Sequence, residues 1–278
     1  MIQGPLGGRG MLGGVLATHV RRQAEAAWTP ASLSDVNLWL DANDLTTLFQ
    51  LINGTTAVAS DGDLIGYWAD KSPANNDAAA AADNATRLAL AANALNGKPV
   101  VRSASGDLLN NTTLSWNNDA YTIAMVYKFG SWVANSGIFI IKPASGNDFN
   151  TNAGCVISQH SSNTAQTNLT INPSSQTSLG LATNARILTV TFNGASKISA
   201  WVDGVSVLTA HTYNRPYSAS NGYLINGRYL SGAVSASFRG ANDYAEILNV
   251  SRVVTTAEHN QIGEYLAAKW GMSWTTVT

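Results

Sequence analysis

Alternation of apolar and polar residues is the feature that most constrains how this chain can fold. In segments 188–192 and 198–202, apolar side chains recur at every second position, which is the period of a β-strand with one buried face. Asn193-Gly194 and Asp203-Gly204 follow these segments, and both dipeptides tolerate the positive φ angles of tight hairpin turns. The sequence therefore predicts consecutive antiparallel strands.

Short apolar segments between turn signals recur along most of the chain. They predict strands over Val36–Asp41 and over residues 64–68, 121–129, 137–142, 187–192, 197–202, 205–209 and 244–250. Charged residues make up only 12% of the 278 residues, about half the usual share, and turn-forming glycine is abundant. We therefore predict an all-β, two-sheet antiparallel sandwich with a sizeable core.

One helix is predicted at the C-terminal end. Thr255 and Glu258 have the spacing of a capping box, and Ile262, Leu266 and Trp270 recur on one helical face. Glycine at position 271 is placed to end the helix, which we expect to pack on the outside of the sandwich.

The alanine-rich stretch 77–94 has helical propensity but is interrupted by polar residues. Asn84, Thr86 and Asn93 lie within it, and Asn96-Gly97 closes it with a turn signal. We predict a long loop with at most one helical turn.

Residues 1–27 differ from the body of the chain, residues 28–278. They are rich in glycine, and Arg21 and Arg22 follow the mildly apolar part, whereas a signal peptide has its basic residues first. We expect no export by that route. The segment either frays or forms an extended arm that orders against a partner through Met11, Leu12 and Leu16, with Arg21 and Arg22.

The charge and the cysteine content of the chain limit the classes of partner that it can bind and the compartment in which it folds. The formal net charge is −1 and no basic run occurs, so nucleic acid is not an expected partner. No apolar run approaches the roughly 20 residues that span a bilayer, so no membrane partner is expected either. A lone Cys155 cannot form an intrachain disulfide, which fits folding in a reducing cytoplasm. Few groups titrate between about pH 5 and 8, so stability should vary little there.

Six motifs, in order along the chain, carry a family resemblance. The first three are Leu38-Trp39-Leu40-Asp41-Ala42, Gly66-Tyr67-Trp68-Ala69-Asp70-Lys71-Ser72 and Leu95-Asn96-Gly97-Lys98-Pro99-Val100-Val101. The last three are Ala200-Trp201-Val202-Asp203-Gly204-Val205, Ala245-Glu246-Ile247-Leu248 and Ile262-Gly263-Glu264-Tyr265-Leu266-Ala267-Ala268-Lys269-Trp270-Gly271. Together they resemble the laminin-G-like, concanavalin A-like lectin-glucanase jelly-roll domains found in phage virion proteins, from Trp28 to Trp274.

The resemblance implies two stacked, curved antiparallel sheets. It also implies that the protein binds glycans or proteins, as most members of this family do, although some members hydrolyse glycans. Fold alone does not choose among these. The relatives that combine a short N-terminal extension with no signal peptide look most like phage virion proteins.

No catalytic pair is expected. Laminarinase-type members of this fold carry an E-x-D-x-x-E strand, and this sequence lacks it. The glutamates are Glu25, Glu246, Glu258 and Glu264, of which one lies in the arm and two on the predicted helix. Asp243 and Glu246 lie three apart on a predicted strand, so their side chains should point to opposite faces. We predict that the protein is not an enzyme.

Neither a metal nor a cofactor is expected. Asp41 with Asp44, and Asp61 with Asp63, lack the ordered spacing of a calcium loop, and turn formation accounts for both pairs. The histidines are scattered along the chain, at His19, His160, His211 and His259.

Aromatic residues are the remaining chemical signal. Trp39, Trp68, Trp201 and Trp270 lie within the motifs, where core packing accounts for them. Other aromatic and arginine residues lie in polar surroundings and could stack on sugar rings or bond their hydroxyls; alternatively they cover loops or meet a neighbouring subunit. These candidate glycan-binding residues are Trp116, Trp132, Tyr213, Arg215, Tyr217, Arg228 and Tyr229.

Two functions follow as hypotheses. The first is a phage virion structural protein, a capsid decoration or tail-fibre-like subunit, assembled in the host cytoplasm. Its arm would dock on other virion proteins of capsid or tail, and its lectin-like domain would project outward, as a homo-oligomer. The alternative is a carbohydrate-binding module that recognises a host surface polysaccharide.

Overall fold

The computed structural model describes Met1 and residues 28–104, 108–114, 120–143, 146–148, 156–162, 166–170, 176–181, 184–193, 197–212, 222–235 and 237–278. Within these residues, two large antiparallel sheets, a two-stranded ribbon and a C-terminal helix form the fold. The predicted all-β sandwich with a C-terminal helix is confirmed. The predicted N-terminal arm lies, apart from Met1, outside the described residues.

Twenty strands are described. In chain order they are β1 (Val36–Asp41), β2 (Leu48–Phe49), β3 (Leu64–Ile65), β4 (Tyr67–Trp68), β5 (Ala78–Ala79), β6 (Leu88–Leu95), β7 (Lys98–Ala104), β8 (Leu109–Asn110), β9 (Tyr121–Ser131), β10 (Gly137–Ile141), β11 (Val156–Gln159), β12 (Gln166–Thr170), β13 (Gln176–Leu181), β14 (Arg186–Asn193), β15 (Lys197–Val202), β16 (Val205–Thr212), β17 (Tyr223–Ile225), β18 (Tyr229–Leu230), β19 (Ala233–Val234) and β20 (Ala241–Val250). Short 3₁₀ turns span Pro30–Ser32 and Leu45–Thr47, and the helix α1 spans Thr256–Trp270.

Eighteen of the described strands form two sheets of nine. Sheet A has the order β16-β15-β14-β9-β20-β7-β6-β3, with β1 also pairing with β20. Sheet B has the order β13-β12-β11-β10-β17-β8-β5-β4-β2, and β18 pairs with β19 in the ribbon. The inner faces of the two sheets enclose the apolar core, and the hydroxyls of Tyr127 on sheet A and Thr167 on sheet B lie 2.7 Å apart across it.

Strand β20 organises sheet A. One of its edges pairs with β9 along nearly its whole length, and the other pairs first with β7 and then with β1. The register shifts between Tyr244 and Glu246, so Ala245 is the extra residue of a β-bulge. This bulge changes which face of the sheet the following side chains occupy.

The hairpin turn at Asp203-Gly204 forms where the sequence predicts it, whereas the turn predicted after Asn193 lies outside the described residues. The alanine-rich stretch differs from its prediction. Asp203 and Gly204 connect β15 to β16 with φ angles of 52° and 81°, so that prediction is confirmed. The predicted loop over residues 77–94 is wrong in part, because it contains β5 and most of β6. Strand β6 pairs with β7 and buries Leu88 and Leu90, so long-range pairing outweighs local propensity.

The helix α1 packs on the outer face of sheet A. Thr255 and Glu258 form both bonds of the predicted capping box, and Gly271 ends the helix in the left-handed conformation with φ 64°. The helix contacts the sheet through His259, whose Nε2 lies 2.7 Å from Oγ1 of Thr189 on β14. The predicted helix bounds and packing side are therefore confirmed.

The motifs that carry the family resemblance meet beneath this helix. The buried carboxylate of Glu246 accepts from the indole nitrogens of Trp39, at 2.7 Å, and Trp270, at 2.8 Å. Lys269 pairs with Glu246 at 2.8 Å and with Asp41 at 2.7 Å. These motif residues thus anchor the helix to sheet A and have a structural role, as predicted for Trp39 and Trp270.

Candidate functional site

A cleft of about 390 Å³ lies at the end of sheet A where β7 and β9 end and β20 begins. Residues 128–132 form one side, Ala241 and Asp243 lie beside them, and Arg102 and Ser103 complete the lining. We call this feature the β9–β20 cleft. Its volume is within the range that small-molecule sites usually have.

Three charged residues stand in a row across the cleft. Asp243 pairs in register with Lys128 on β9 and with Arg102 on β7. Residues directly opposite each other in antiparallel strands project from the same face. Tyr244, the next residue, reaches inward and its hydroxyl donates to Asn226 at 3.3 Å. The three charged side chains therefore lie on the outer face of sheet A.

Arg102 and Asp243 form a two-point ion pair in the cleft. Nε of Arg102 donates to Oδ1 at 2.6 Å and Nη2 donates to Oδ2 at 2.9 Å. The hydrogen bond with Asp243 is the main reason that the pKa of Arg102 is raised. The Arg102 side chain is nevertheless 48% exposed, so its remaining donors face solvent. Such a pair offers both donors and an acceptor to a polar ligand.

Trp132 supplies an aromatic wall. Its indole N–H donates to the backbone carbonyl of His160 at 2.9 Å, and the residue is half-buried. Gln159 holds the backbone on either side of it, accepting from Val133 N at 2.6 Å and donating to Ser131 O at 3.2 Å. Because its polar atom is satisfied and its backbone is fixed, Trp132 presents a preorganised ring to the cleft.

A buried network of amide side chains underlies the cleft. Nε2 of Gln159 donates to Asn242 at 2.9 Å, and Nδ2 of Asn242 donates to Asn226 at 2.9 Å. Asn226 in turn donates to Ser103, whose hydroxyl donates to Gly240 O at 2.7 Å. Buried polar groups are costly unless they are bonded, so this network fixes the strands that carry the cleft.

The predicted site residue Arg228 lies next to the turn that follows Trp132. Its guanidinium forms a two-point pair with Asp148 at 2.7 and 2.6 Å and donates to Asn135 O at 2.9 Å. The Arg228 side chain is 7% exposed and that of Asp148 is fully buried. We therefore expect Arg228 to position the turn after Trp132 rather than to touch a ligand.

The structure brings only some of the predicted glycan-binding residues together. Tyr229 follows Arg228, is half-buried, and donates its hydroxyl to Gly232 O at 2.6 Å. The other candidates lie outside the described residues and stay predictions: Trp116, Tyr213, Arg215 and Tyr217, and in the arm Met11, Leu12, Leu16, Arg21 and Arg22.

Sequence reasoning missed Arg102 and Lys128 and placed Asp243 wrongly relative to Glu246. The bulge at Ala245 puts both carboxylates on the outer face, contrary to the prediction from simple alternation. They still do not share a site, because Asp243 pairs with Arg102 while Glu246 lies under the helix. The one available signal was Lys128, a charge within the apolar run of β9.

The acidic pairs noted in the sequence serve turns and ion pairs. Lys71 bridges Asp41 at 3.0 Å and Asp44 at 2.7 Å. Asp63 accepts from two backbone N–H groups at 2.9 Å, and these bonds lower its pKa. Across the described ranges, no group of three or more His, Cys, Asp or Glu side chains could hold a metal ion. In the same ranges, no helix is both long and apolar enough to cross a membrane.

Comparisons with known proteins identify the fold of this chain but assign it to no family. No protein-family description matches the sequence, and no curated protein does. Among solved structures, botulinum neurotoxin type C, described as interacting with two ganglioside molecules, is 14% identical with a TM-score of 0.52. It covers 84% of this chain and 51% of its own.

Two further solved structures are similar. The binding domain of botulinum neurotoxin DC, in complex with rat synaptotagmin II, is 13% identical with a TM-score of 0.52, covering 86% of this chain and 55% of its own. The sialidase of Trypanosoma rangeli, in complex with sialic acid, is 11% identical with a TM-score of 0.53, covering 85% and 33%.

This chain therefore spans about half the length of the toxin structures and a third of the sialidase. At these identities the likeness shows the fold alone, which is that of a two-sheet jelly-roll sandwich.

Proposed function

We propose that this chain is a non-enzymatic carbohydrate-binding module whose β9–β20 cleft holds a saccharide. The proposal rests on one observation: the half-buried Trp132 and the Arg102–Asp243 ion pair line the same cleft. Sugars have an apolar face, which stacks on aromatic rings, and vicinal hydroxyls, which bond to paired donors and acceptors. The cleft offers both kinds of contact.

The fold comparison supports the same proposal. The solved structures of this fold include proteins described with gangliosides, sialic acid or a protein receptor. This favours the carbohydrate-binding alternative over a virion structural role. The virion role, the docking arm and the homo-oligomer stay predictions, because the arm lies almost wholly outside the described residues.

Binding without hydrolysis fits the charges in the cleft. A glycoside hydrolase of the usual type needs two carboxyl groups across the scissile bond. Of the described residues that line the cleft, Asp243 alone carries a carboxyl group, and both its oxygens accept from Arg102. The pair is arranged to hold hydroxyls, not to transfer protons.

Glycan-array screening followed by titration calorimetry tests the proposal. Trp132→Ala should weaken binding by about 30-fold, the effect of losing a central aromatic contact. Trp28→Ala is the matched control and should leave binding unchanged. Trp28 is also half-buried, but it packs against Tyr265 of α1, with 5.7 Å between the ring centroids. Tyr217→Ala and Tyr229→Ala test the other predicted aromatics. Absence of any retained glycan, or full binding by Trp132→Ala, would contradict the proposal.

A further inference from the structure

We infer that the saccharide held by the β9–β20 cleft is acidic and that Lys128 binds its anionic group. This inference rests on the proposed function and adds the class of ligand. It starts from the unequal pairing of the two cationic lining residues, because Arg102 forms an ion pair with Asp243 whereas Lys128 forms none with a described residue.

The charge on Arg102 is already compensated. Both carboxylate oxygens of Asp243 accept from its guanidinium, at 2.6 and 2.9 Å. Asp61 adds a second negative charge near enough to raise the pKa of Arg102. Arg102 therefore serves mainly to orient Asp243 and to bond neutral groups.

The charge on Lys128 has no such partner. Lys128 pairs in register with Asp243, yet no ion pair joins them, and no other acidic side chain in the described part of the chain pairs with this lysine. The residue is half-buried on the outer face of sheet A. Because Lys128 lines the cleft without a protein counter-ion, its charge is available to an anionic group of a ligand.

Lys128 and Trp132 line the same cleft. Gly130 lines the cleft between Lys128 and Trp132 and contributes no side chain to it. Trp132 follows Lys128 by four residues, and four residues of extended chain reach at most roughly 13 Å. A ligand that reaches both is longer than one sugar ring, so the cleft fits an acidic oligosaccharide.

The test compares trigalacturonic acid with its methyl ester, which keeps the hydroxyls and removes the charge. The acid should bind at least about tenfold more tightly, the effect of a hydrogen bond to a charged group. Raising NaCl from about 0.1 M to about 1 M should weaken only the acid, since the screening length falls from about 10 Å to about 3 Å. A sulfated galactan oligosaccharide and its desulfated form distinguish carboxylate from sulfate as the anionic group.

Lys128→Met should lower the affinity for the acid to about that for the ester, so that the preference disappears. Lys197→Met, on β15, makes the same change in net charge two strands away from β9 and should have no effect. Lys128→Gln repeats the test with a polar side chain.

Each result decides a separate point. Equal affinity for charged and uncharged saccharides, or an unchanged preference in both Lys128 variants, would overturn the acidic class and leave the proposed function standing. A protein that binds only neutral glycans would do the same. A protein that retains no glycan at all, or one in which Trp132→Ala binds normally, would overturn the proposed function as well.

Discussion

Two arginine–aspartate pairs have the same geometry but differ in burial. We expect the more buried pair to contribute more to the free energy of unfolding. Arg228–Asp148 and Arg102–Asp243 are both two-point pairs, with donor–acceptor distances from 2.6 to 2.9 Å. The side chains of the first pair are 7% and 0% exposed, and those of the second are 48% and 10% exposed. The exposed pair therefore serves as the control for the buried pair within one protein.

The expected cost follows from what each substitution leaves behind. Arg228→Met removes both guanidinium donors from Asp148, whose buried carboxylate then keeps the backbone N–H of Tyr229, at 2.8 Å. Leaving a buried charge unpaired costs about 3–5 kcal/mol. Arg102→Met removes a half-exposed guanidinium and leaves Asp243, whose side chain is 10% exposed, lining the β9–β20 cleft, so the loss should be smaller, on the order of 1 kcal/mol. A typical domain has about 5–15 kcal/mol in total, so the first loss is large.

Guanidinium chloride unfolding, followed by tryptophan fluorescence, measures both losses. Arg228→Lys keeps the charge and loses the two-point geometry, so it should fall between wild type and Arg228→Met. The double variant Arg228→Met/Asp148→Leu should recover much of the loss, because it removes the unpaired carboxylate. Equal costs for Arg228→Met and Arg102→Met would refute the reasoning that burial sets the strength of these pairs.

Three further predictions concern the terminal helix. Burial lowers the pKa of His259 to about 4 from its usual 6.5 or so. The unfolded chain then binds the proton more tightly, and stability that is complete above about pH 6.5 should fall by on the order of 3 kcal/mol as the pH drops towards 4. Urea unfolding across this range should show the slope, in contrast to the weak pH dependence expected from the sequence, and His259→Gln should flatten it. Gly263→Ala should lower the melting temperature, because the new methyl would lie 2.1 Å from the ring of Trp274. Alanine by itself favours helices, so a raised melting temperature would contradict this reasoning. Thr255→Ala should cost about 1 kcal/mol by removing the cap bond to Glu258, whereas the exposed neighbour Thr256→Ala should cost little.

Local signals were sufficient wherever the structure depends on neighbours in sequence. The capping box, the buried helical face and the terminal glycine fixed α1, and Asp203-Gly204 fixed the hairpin between β15 and β16. These features require only backbone geometry and short-range hydrogen bonds. The alternation of apolar residues likewise predicted the one buried face of β15, whereas β14 is buried on both faces because α1 covers its outer side.

Features that depend on distant pairing were not predictable from the same signals. The alanine-rich segment became strand β6 because β7 lies beside it, and a single bulge at Ala245 reversed the predicted relation of Asp243 to Glu246. A bulge leaves no mark in the alternation of a strand buried on both faces, since either register places an acceptable residue inside.

The sequence by itself determined the fold class, the hairpins and the terminal helix, because these follow from periodicity and turn chemistry over a few residues. The candidate site was decided only by the tertiary structure. Arg102, Lys128 and Asp243 lie on three strands far apart in the chain, and strand order and register alone bring them across one cleft from each other. Strand pairing is a long-range contact whose partner no local pattern specifies, so the chemistry of the cleft appears only once the sheet is assembled.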